Sequence, residues 1–361
     1  MVVQNLDHCD IAMCDFVRHY IPQANALWEE PIGVVRGWFY PPFLAILLMP
    51  LAIFEEPRWL WLGCNLGALF FLIRLAVHQT RLPWWLVAIT MCLSMPVLHA
   101  LKWGQISLIL SSLIMLGVCS QKRLAWYVAV AGALKVYPIA LGGIFVLEKD
   151  WRGLFLVSLL FVVLALLFPG LLLGWDATTL MWKHVFAGAR EVRGFAPHGG
   201  GQGLYPVLYR LFVDGSHTQL PPTELPRFFR LSLLGLEVLW GVGVICIVLC
   251  TRRMFILSNN RIARLLLLWV ALHLLLSPGW HHYAAFLPFV LLWCWSRGEY
   301  FWSGIGFLIV LLPVMILGIY PDTYAHYSAF GGTFWAVFCA WCALLGICGS
   351  EELDNALNCE E

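Results

Sequence analysis

The sequence predicts an all-α fold: a polytopic bundle of transmembrane helices whose outer-face loops carry short interfacial helices. Three observations predict it. The chain is 61% hydrophobic and only 12% charged, against about 45–50% and about 25% in a soluble domain. Its mean hydropathy is +0.80. Apolar segments follow one another from Tyr40 onward with short breaks. The 19 Trp and 23 Phe suit rings that gather at the lipid–water boundary. A net charge of +1 excludes a nucleic-acid-binding surface, which needs a basic excess. The wealth of aromatic residues excludes a disordered chain.

Residues 1–39 are mixed and polar, and they form an outer-face segment with no apolar run long enough to span. The membrane domain covers 40–350, and an acidic cytoplasmic tail covers 351–361. Eleven spans are expected, at 41–54, 58–77, 83–101, 105–119, 124–147, 153–175, 230–250, 265–277, 281–296, 301–320 and 331–349. A span needs ~20 apolar residues, so the first, fourth, eighth and ninth are short. Pro50, Pro96, Pro138, Pro288 and Pro313 kink helices, which is tolerated where a neighbour or cavity satisfies the freed carbonyl. The segment 124–147 reads as one span of ~36 Å at 1.5 Å per residue, because each arm of a hairpin would be too short.

The strongest basic cluster, Arg252, Arg253, Arg261 and Arg264, belongs in the cytoplasm. Span parity then places the long polar stretch 176–229 and residues 1–39 outside, together with His281 and His282. Lys122 and Arg123 go against the charge rule in this reading. An outer N-terminus with no helix to carry it across leads us to expect one further apolar helix before residue 1.

The 12 Cys sit mostly in apolar stretches as small hydrophobes. Cys9 and Cys14 are spaced to pair or to bind metal, but no second pair or suitably spaced His supports a zinc site.

Several residues are placed to carry chemistry. Asp15 opens a stretch in which Phe16, Tyr20, Ala24, Leu27 and Trp28 recur near helical spacing, interrupted at Pro22. Two roles fit it: the N-cap of an interfacial helix, or a carboxylate base at the water–lipid boundary. Tyr40-Pro41-Pro42 either punctuates the start of the first span or lines a site. Lys135 lies in mid-span, where a charge costs ~2.5–3.5 kcal/mol and is a functional candidate. The bland alternatives are snorkelling or pairing with Glu237. In Trp280-His281-His282-Tyr283, adjacent His point to different sides of a helix, so both do not bind one metal. One of them facing a cavity could donate to a substrate oxygen; a surface pair at the headgroups is the alternative.

In the outer loop, Arg190, Glu191 and Arg193 precede His198-Gly-Gly-Gly-Gln202-Gly-Leu204. Gly-rich backbone beside Arg can receive phosphate, although Gly runs also mark plain loops. There is no GxxxxGK[ST] loop. There is also no Asp-x-Asp pair to hold a metal–nucleotide-sugar, so an activated sugar is expected on a lipid.

Five motifs in order carry a family resemblance: Asp15-Phe-x-x-x-Tyr20; Tyr40-Pro-Pro-Phe-Leu-Ala45 with Met49-Pro-Leu51; Gly104-Gln-Ile-Ser-Leu108; Ala131-Gly-Ala-Leu-Lys-Val-Tyr-Pro138; and Ser277-Pro-Gly-Trp-His-His-Tyr283. Over about residues 13–300 the chain resembles glycosyltransferase family 87, polytopic enzymes of the GT-C superfamily that include mycobacterial α-1,2-mannosyltransferases. The resemblance implies a multi-pass enzyme of the cell membrane with its site on the outer face. Such an enzyme moves a hexose, mannose first, from a polyprenyl-phosphate donor to a hydroxyl of a lipid or glycan acceptor. It implies Asp15 as base. It also implies His282, or His281 under a one-residue shift, at the site, and maps the family's Lys-x-Tyr-Pro onto Lys135, Tyr137 and Pro138. Tyr40 and Gln202 join the substrate-binding set. Of the family's outer-loop Asn-Gln-Ser-Leu only Gln202 and Leu204 remain, and the family's first transmembrane helix is absent.

The implied reaction is a single inverting displacement. Asp15 takes the acceptor proton, while Lys135, Arg190 and Arg193 steady the leaving phosphate. His282 orients sugar or phosphate, and no metal ion or other cofactor is called for. Two rivals share part of the pattern: a flippase or transporter of lipid-linked sugars, and a ligase that moves a whole glycan from a lipid carrier.

Overall fold

The structure is a computed structural model and describes residues 12–35, 37–191, 201–213, 230–276, 279–317 and 323–357. Among these residues the chain is helical, with no strand and one isolated bridge between Gly201 and Trp280. The expected all-α membrane fold is what is found. It divides into two units. One comprises Cys9–Leu72 and Ala100–Glu191; the other comprises Met1–His8, Ile73–His99 and Val192–Glu361.

The eleven expected spans do not reappear as continuous helices. Among the described residues four helices are long and apolar enough to cross a membrane: Pro57–Thr80, Trp151–Leu173, Leu233–Leu257 and Gly332–Ser350. A fifth exists if Trp84–Cys92 and Met95–Trp103, bent by 58°, count as one span. Pro96 explains that bend. Its ring lacks an N–H and clashes with the carbonyl four residues back, so the first helix stops at Cys92 and Ser94 Oγ donates to Met91 O at 3.0 Å. The shorter apolar helices are Pro42–Ile53, Ser107–Ser120, Leu124–Leu134, Tyr137–Leu147 and Tyr300–Val314.

The single span expected over 124–147 is broken. Leu124–Leu134 ends at Lys135, which is extended (φ −153°, ψ 127°), and a 3-10 turn Tyr137–Gly142 restarts the chain with Pro138 in its first turn. The residue at the break is the one charge of the segment. The stretch 281–296 likewise opens as a 3-10 turn, His281–Ala284, before the helix Leu287–Ser296.

In the first unit Leu124–Leu134 is the hub, packed against Ser107–Ser120, Trp151–Val162 and Pro42–Leu48. In the second, Gly332–Leu357 packs against Tyr300–Leu317, Arg261–Leu275, Leu233–Leu257 and Leu287–Ser296. Leu233–Leu257 leaves Leu234, Val238, Val242, Ile245, Leu249 and Ile256 exposed. So long an exposed apolar face fits contact with lipid.

The stretch 176–229 is not all loop. Trp175–Glu191 is a 17-residue helix, and Leu204–Phe212 is a short amphipathic one of the kind expected at the interface. Pro22 does not interrupt its helix. A π turn, Phe16–Tyr20, runs directly into Ile21–Ala26 with Pro22 in the first turn. A wide turn removes the demand for a donor where Pro has none. Cys14, at the start of this helix, is disulfide-bonded.

Candidate functional site

The predicted residues fall into two polar clusters, one in each unit. The first is built around Asp15. Asp15 lies inside the helical run that begins at Cys14, with helical φ −68° and ψ −34°, and its side chain makes no capping hydrogen bond. The carboxylate Oδ2 accepts from Gln105 Nε2. Gln105 Oε1 in turn accepts from Tyr20 OH at 3.2 Å and Tyr40 OH at 3.1 Å. Buried aromatic rings wall this group. Tyr20 meets Tyr40 edge to face at 4.9 Å and Trp38 at 6.0 Å. Phe16 stacks on Trp61 at 5.3 Å.

Lys135 joins the same cluster. Its Nζ lies 5.0 Å from the Tyr40 ring centroid and 6.0 Å from that of Tyr137, and it is within electrostatic reach of Asp15. The electron-rich ring faces attract the ammonium. Glu237, the other acidic residue the sequence offered, accepts from Tyr205 OH at 3.2 Å. The break at Lys135 therefore has a structural meaning. An extended residue between two short helices sets the buried Lys135 side chain over the rings of Tyr40 and Tyr137.

Gly104 sets the approach of the Asp15 helix. It adopts φ +64°, and a Cβ there would come within 2.9 Å of the Cβ atoms of Met13 and Phe16. Met13 N–H donates to Lys102 O at 2.7 Å, and Trp61 Nε1–H donates to Gly104 O at 2.6 Å. The glycine is needed for both its conformation and its missing side chain. Gly104→Ala is expected to destabilise the protein by about 2–4 kcal/mol, from backbone strain plus the clash. Thermal unfolding in detergent measures this, and an unchanged midpoint would contradict the close approach.

The second cluster surrounds His281. Its Nδ1 is 2.7 Å from Thr333 Oγ1 and its Nε2 is 2.6 Å from Ser328 Oγ. Tyr327 OH continues the chain to Thr333 Oγ1 at 2.9 Å. His281 has both ring nitrogens held by hydroxyls and no exposed surface. His282 stacks on His99 at 5.4 Å, and His99 packs on Tyr324 at 6.2 Å. His99 also lies 5.2 Å from the His281 ring, so the two adjacent His residues share this neighbour.

Gln202 and Arg210 knit the cluster together. Gln202 N–H donates to Gly279 O at 3.0 Å, and its Nε2 donates to Ser328 O at 2.9 Å. Gly279, at φ +60°, has Gly203 N where a Cβ would be, at 2.7 Å. Arg210 is buried and donates to three carbonyls: Nη2 to Gly201 O at 2.7 Å and Ser328 O at 3.3 Å, and Nε to Ala329 O at 3.0 Å. Burial pulls its pKa down to about 9, which still leaves the guanidinium charged at neutral pH. Gln202 is therefore bound to the protein's own backbone.

Arg190 lies in the last turn of Trp175–Glu191, with its side chain outside the described residues. Arg193, the Gly run 199–200, Ser277 and Pro278 also lie outside them. Gln105, Arg210, Ser328, Thr333 and His99 carry the geometry without having been singled out from sequence. For Gln105 the signal was present in Gly104-Gln105. For Arg210 it was a cation on an amphipathic helix.

The family model of glycosyltransferase family 87 matches residues 38–278, more than half of the chain. Tyr40, Gln105, Lys135, Tyr137, Gln202 and Arg210 fall inside the matched stretch, while Asp15, His281 and His282 flank it. No curated protein and no solved structure matches. The match over 38–278 covers more than half of the chain and agrees with its helical membrane fold, and the chain belongs to glycosyltransferase family 87.

Proposed function

We propose that this membrane glycosyltransferase moves a hexose, mannose first, from a polyprenyl-phosphate carrier to a hydroxyl of a lipid or glycan acceptor, on the extracytoplasmic face. The observation that carries the reading is the Asp15–Lys135 cluster. The half-buried carboxylate of Asp15 accepts from Gln105, which also holds Tyr20 and Tyr40, and the Lys135 ammonium lies over the Tyr40 ring.

The step is a single displacement. The acceptor oxygen forms a bond to the anomeric carbon while the bond from that carbon to the phosphate oxygen breaks. The polyprenyl phosphate leaves with the electron pair, and the acceptor proton passes to Asp15. The phosphate is a good leaving group, so no acid is needed. Lys135 steadies its developing charge, and a preorganised cation in a water-poor site is effective at this. Arg190, in the last turn of Trp175–Glu191, assists. Tyr40 and Tyr137 frame Lys135.

Three features support the outer face. Lipid-linked sugars are donors where nucleotide sugars are absent. The disulfide at Cys14 adjoins Asp15, and disulfides persist in oxidising compartments. The basic cluster Arg252–Arg264 belongs in the cytoplasm. Membranes carrying the protein and fed radiolabelled polyprenyl-phosphate mannose are expected to yield a labelled lipid or glycan. Label that only crosses the bilayer, with no new glycosidic product, would make the protein a transporter.

A further inference from the structure

We infer that Gln105 is a positioning residue for the base: it holds Asp15 Oδ2 through Nε2 and is itself locked in that orientation by Tyr20 and Tyr40. The inference rests on the reading of Asp15 given above. An ionised carboxylate only accepts hydrogen bonds, so the amide must turn its NH₂ toward Asp15. Its oxygen then faces the other way, where the Tyr20 and Tyr40 hydroxyls both donate to it. The Asp15 carboxylate forbids the flipped amide, which would set a carbonyl against it, and the two hydroxyls donate to Oε1 in the orientation that remains. Gln105 is buried, and its backbone is fixed by Gly104 and by a hydrogen bond from its own N–H to Ala100 O at 3.0 Å. A carboxylate held at one oxygen keeps the lone pairs of the other in a defined direction. A base needs that to meet the acceptor hydroxyl. The same hydrogen bond favours the charged form of Asp15.

Among the described residues, few other charged and titratable groups belong to the elements packed around the pair. Lys135 comes from the break after Leu124–Leu134, and Lys102 from the helix whose carbonyl binds Met13. Arg18 and His19 share the helix of Asp15. Glu56 and Arg58, ion-paired at 2.7 Å, line the apolar groove beside Phe16 and Val17. None of these changes in the variants below.

Gln105→Glu keeps the shape and the acceptor for both tyrosines but sets a second carboxylate against Asp15. The acid limb of the pH profile of kcat/KM, which reports the base of the free enzyme, is expected to move up by about 1 pH unit or more. Gln105→Met removes the donor without adding charge, so the limb should move up less and turnover at saturating donor should fall about tenfold or more. Asp15→Asn is assayed beside them. If it is inactive and both folded Gln105 variants keep the wild-type limb, the positioning role is overturned while Asp15 stands. If Asp15→Asn turns over normally, the base assignment and this inference fall together. Should Gln105→Glu not fold, Gln105→Met alone decides through the same limb. Folding is checked by thermal unfolding in detergent.

Discussion

Asp15→Asn is expected to lose about 10²–10⁴-fold in turnover at saturating donor, with little change in the thermal midpoint. Asn keeps the size of the side chain and can still accept from Gln105 through its carbonyl, so the local structure survives. It also caps helices about as well as Asp, so a purely structural role predicts almost no effect. Basicity is the one property removed. Donor binding should be nearly unaffected, because Asp15 contacts the acceptor hydroxyl in this mechanism. Hence kcat falls and the KM for donor does not rise. Turnover near that of the wild type would take Asp15 out of the chemistry.

The second large effect is expected at Lys135. Lys135→Met removes the cation and keeps an unbranched apolar side chain of similar length. Loss of a charge aimed at a developing oxyanion costs about 10²–10³-fold in rate. Here the same charge also binds the donor phosphate in the ground state, so the KM for donor should rise as kcat falls. That joint change separates Lys135 from Asp15. Stability should drop only modestly, by about 1–2 kcal/mol. Asp15 is partly exposed and keeps Gln105 as a donor, so it is not stranded as a buried unpaired charge. A variant with normal kcat and KM would leave Lys135 a buried structural cation.

The all-α membrane class was legible because composition alone decides it: no water-soluble core hides this much apolar surface. Span boundaries were not legible. Hydropathy measures side chains along the chain, and the run 124–147 is apolar on both sides of Lys135, so the extended backbone at that residue leaves no trace in it. Pro96 and Pro138 marked breaks that the apolar average overrode. Lys135 itself was legible, since a charge inside an apolar run is costly and invites an explanation. The two roles open for Asp15 could not be separated by local sequence, because its partner Gln105 lies 90 residues away. The same holds for Arg210, whose acceptors Ser328 and Ala329 are 118 and 119 residues distant. His281 and His282 were ambiguous as neighbours. Ser328 and Thr333, which hold the ring of His281, lie 47 and 52 residues away.

Loss of activity in Asp15→Asn does not by itself distinguish a base from a nucleophile, since either role needs the carboxylate. The stereochemistry of transfer does. The account makes Asp15 a base in one displacement, so the anomeric configuration of the product must be opposite to that of the polyprenyl-phosphate donor. The measurement is the configuration of the new glycosidic bond, made by the wild-type protein from a donor of known anomeric form and read by nuclear magnetic resonance or by anomer-specific glycosidases. Inversion is the predicted result. Retention, with a sugar trapped covalently on Asp15, would contradict the single displacement and make this carboxylate the attacking group.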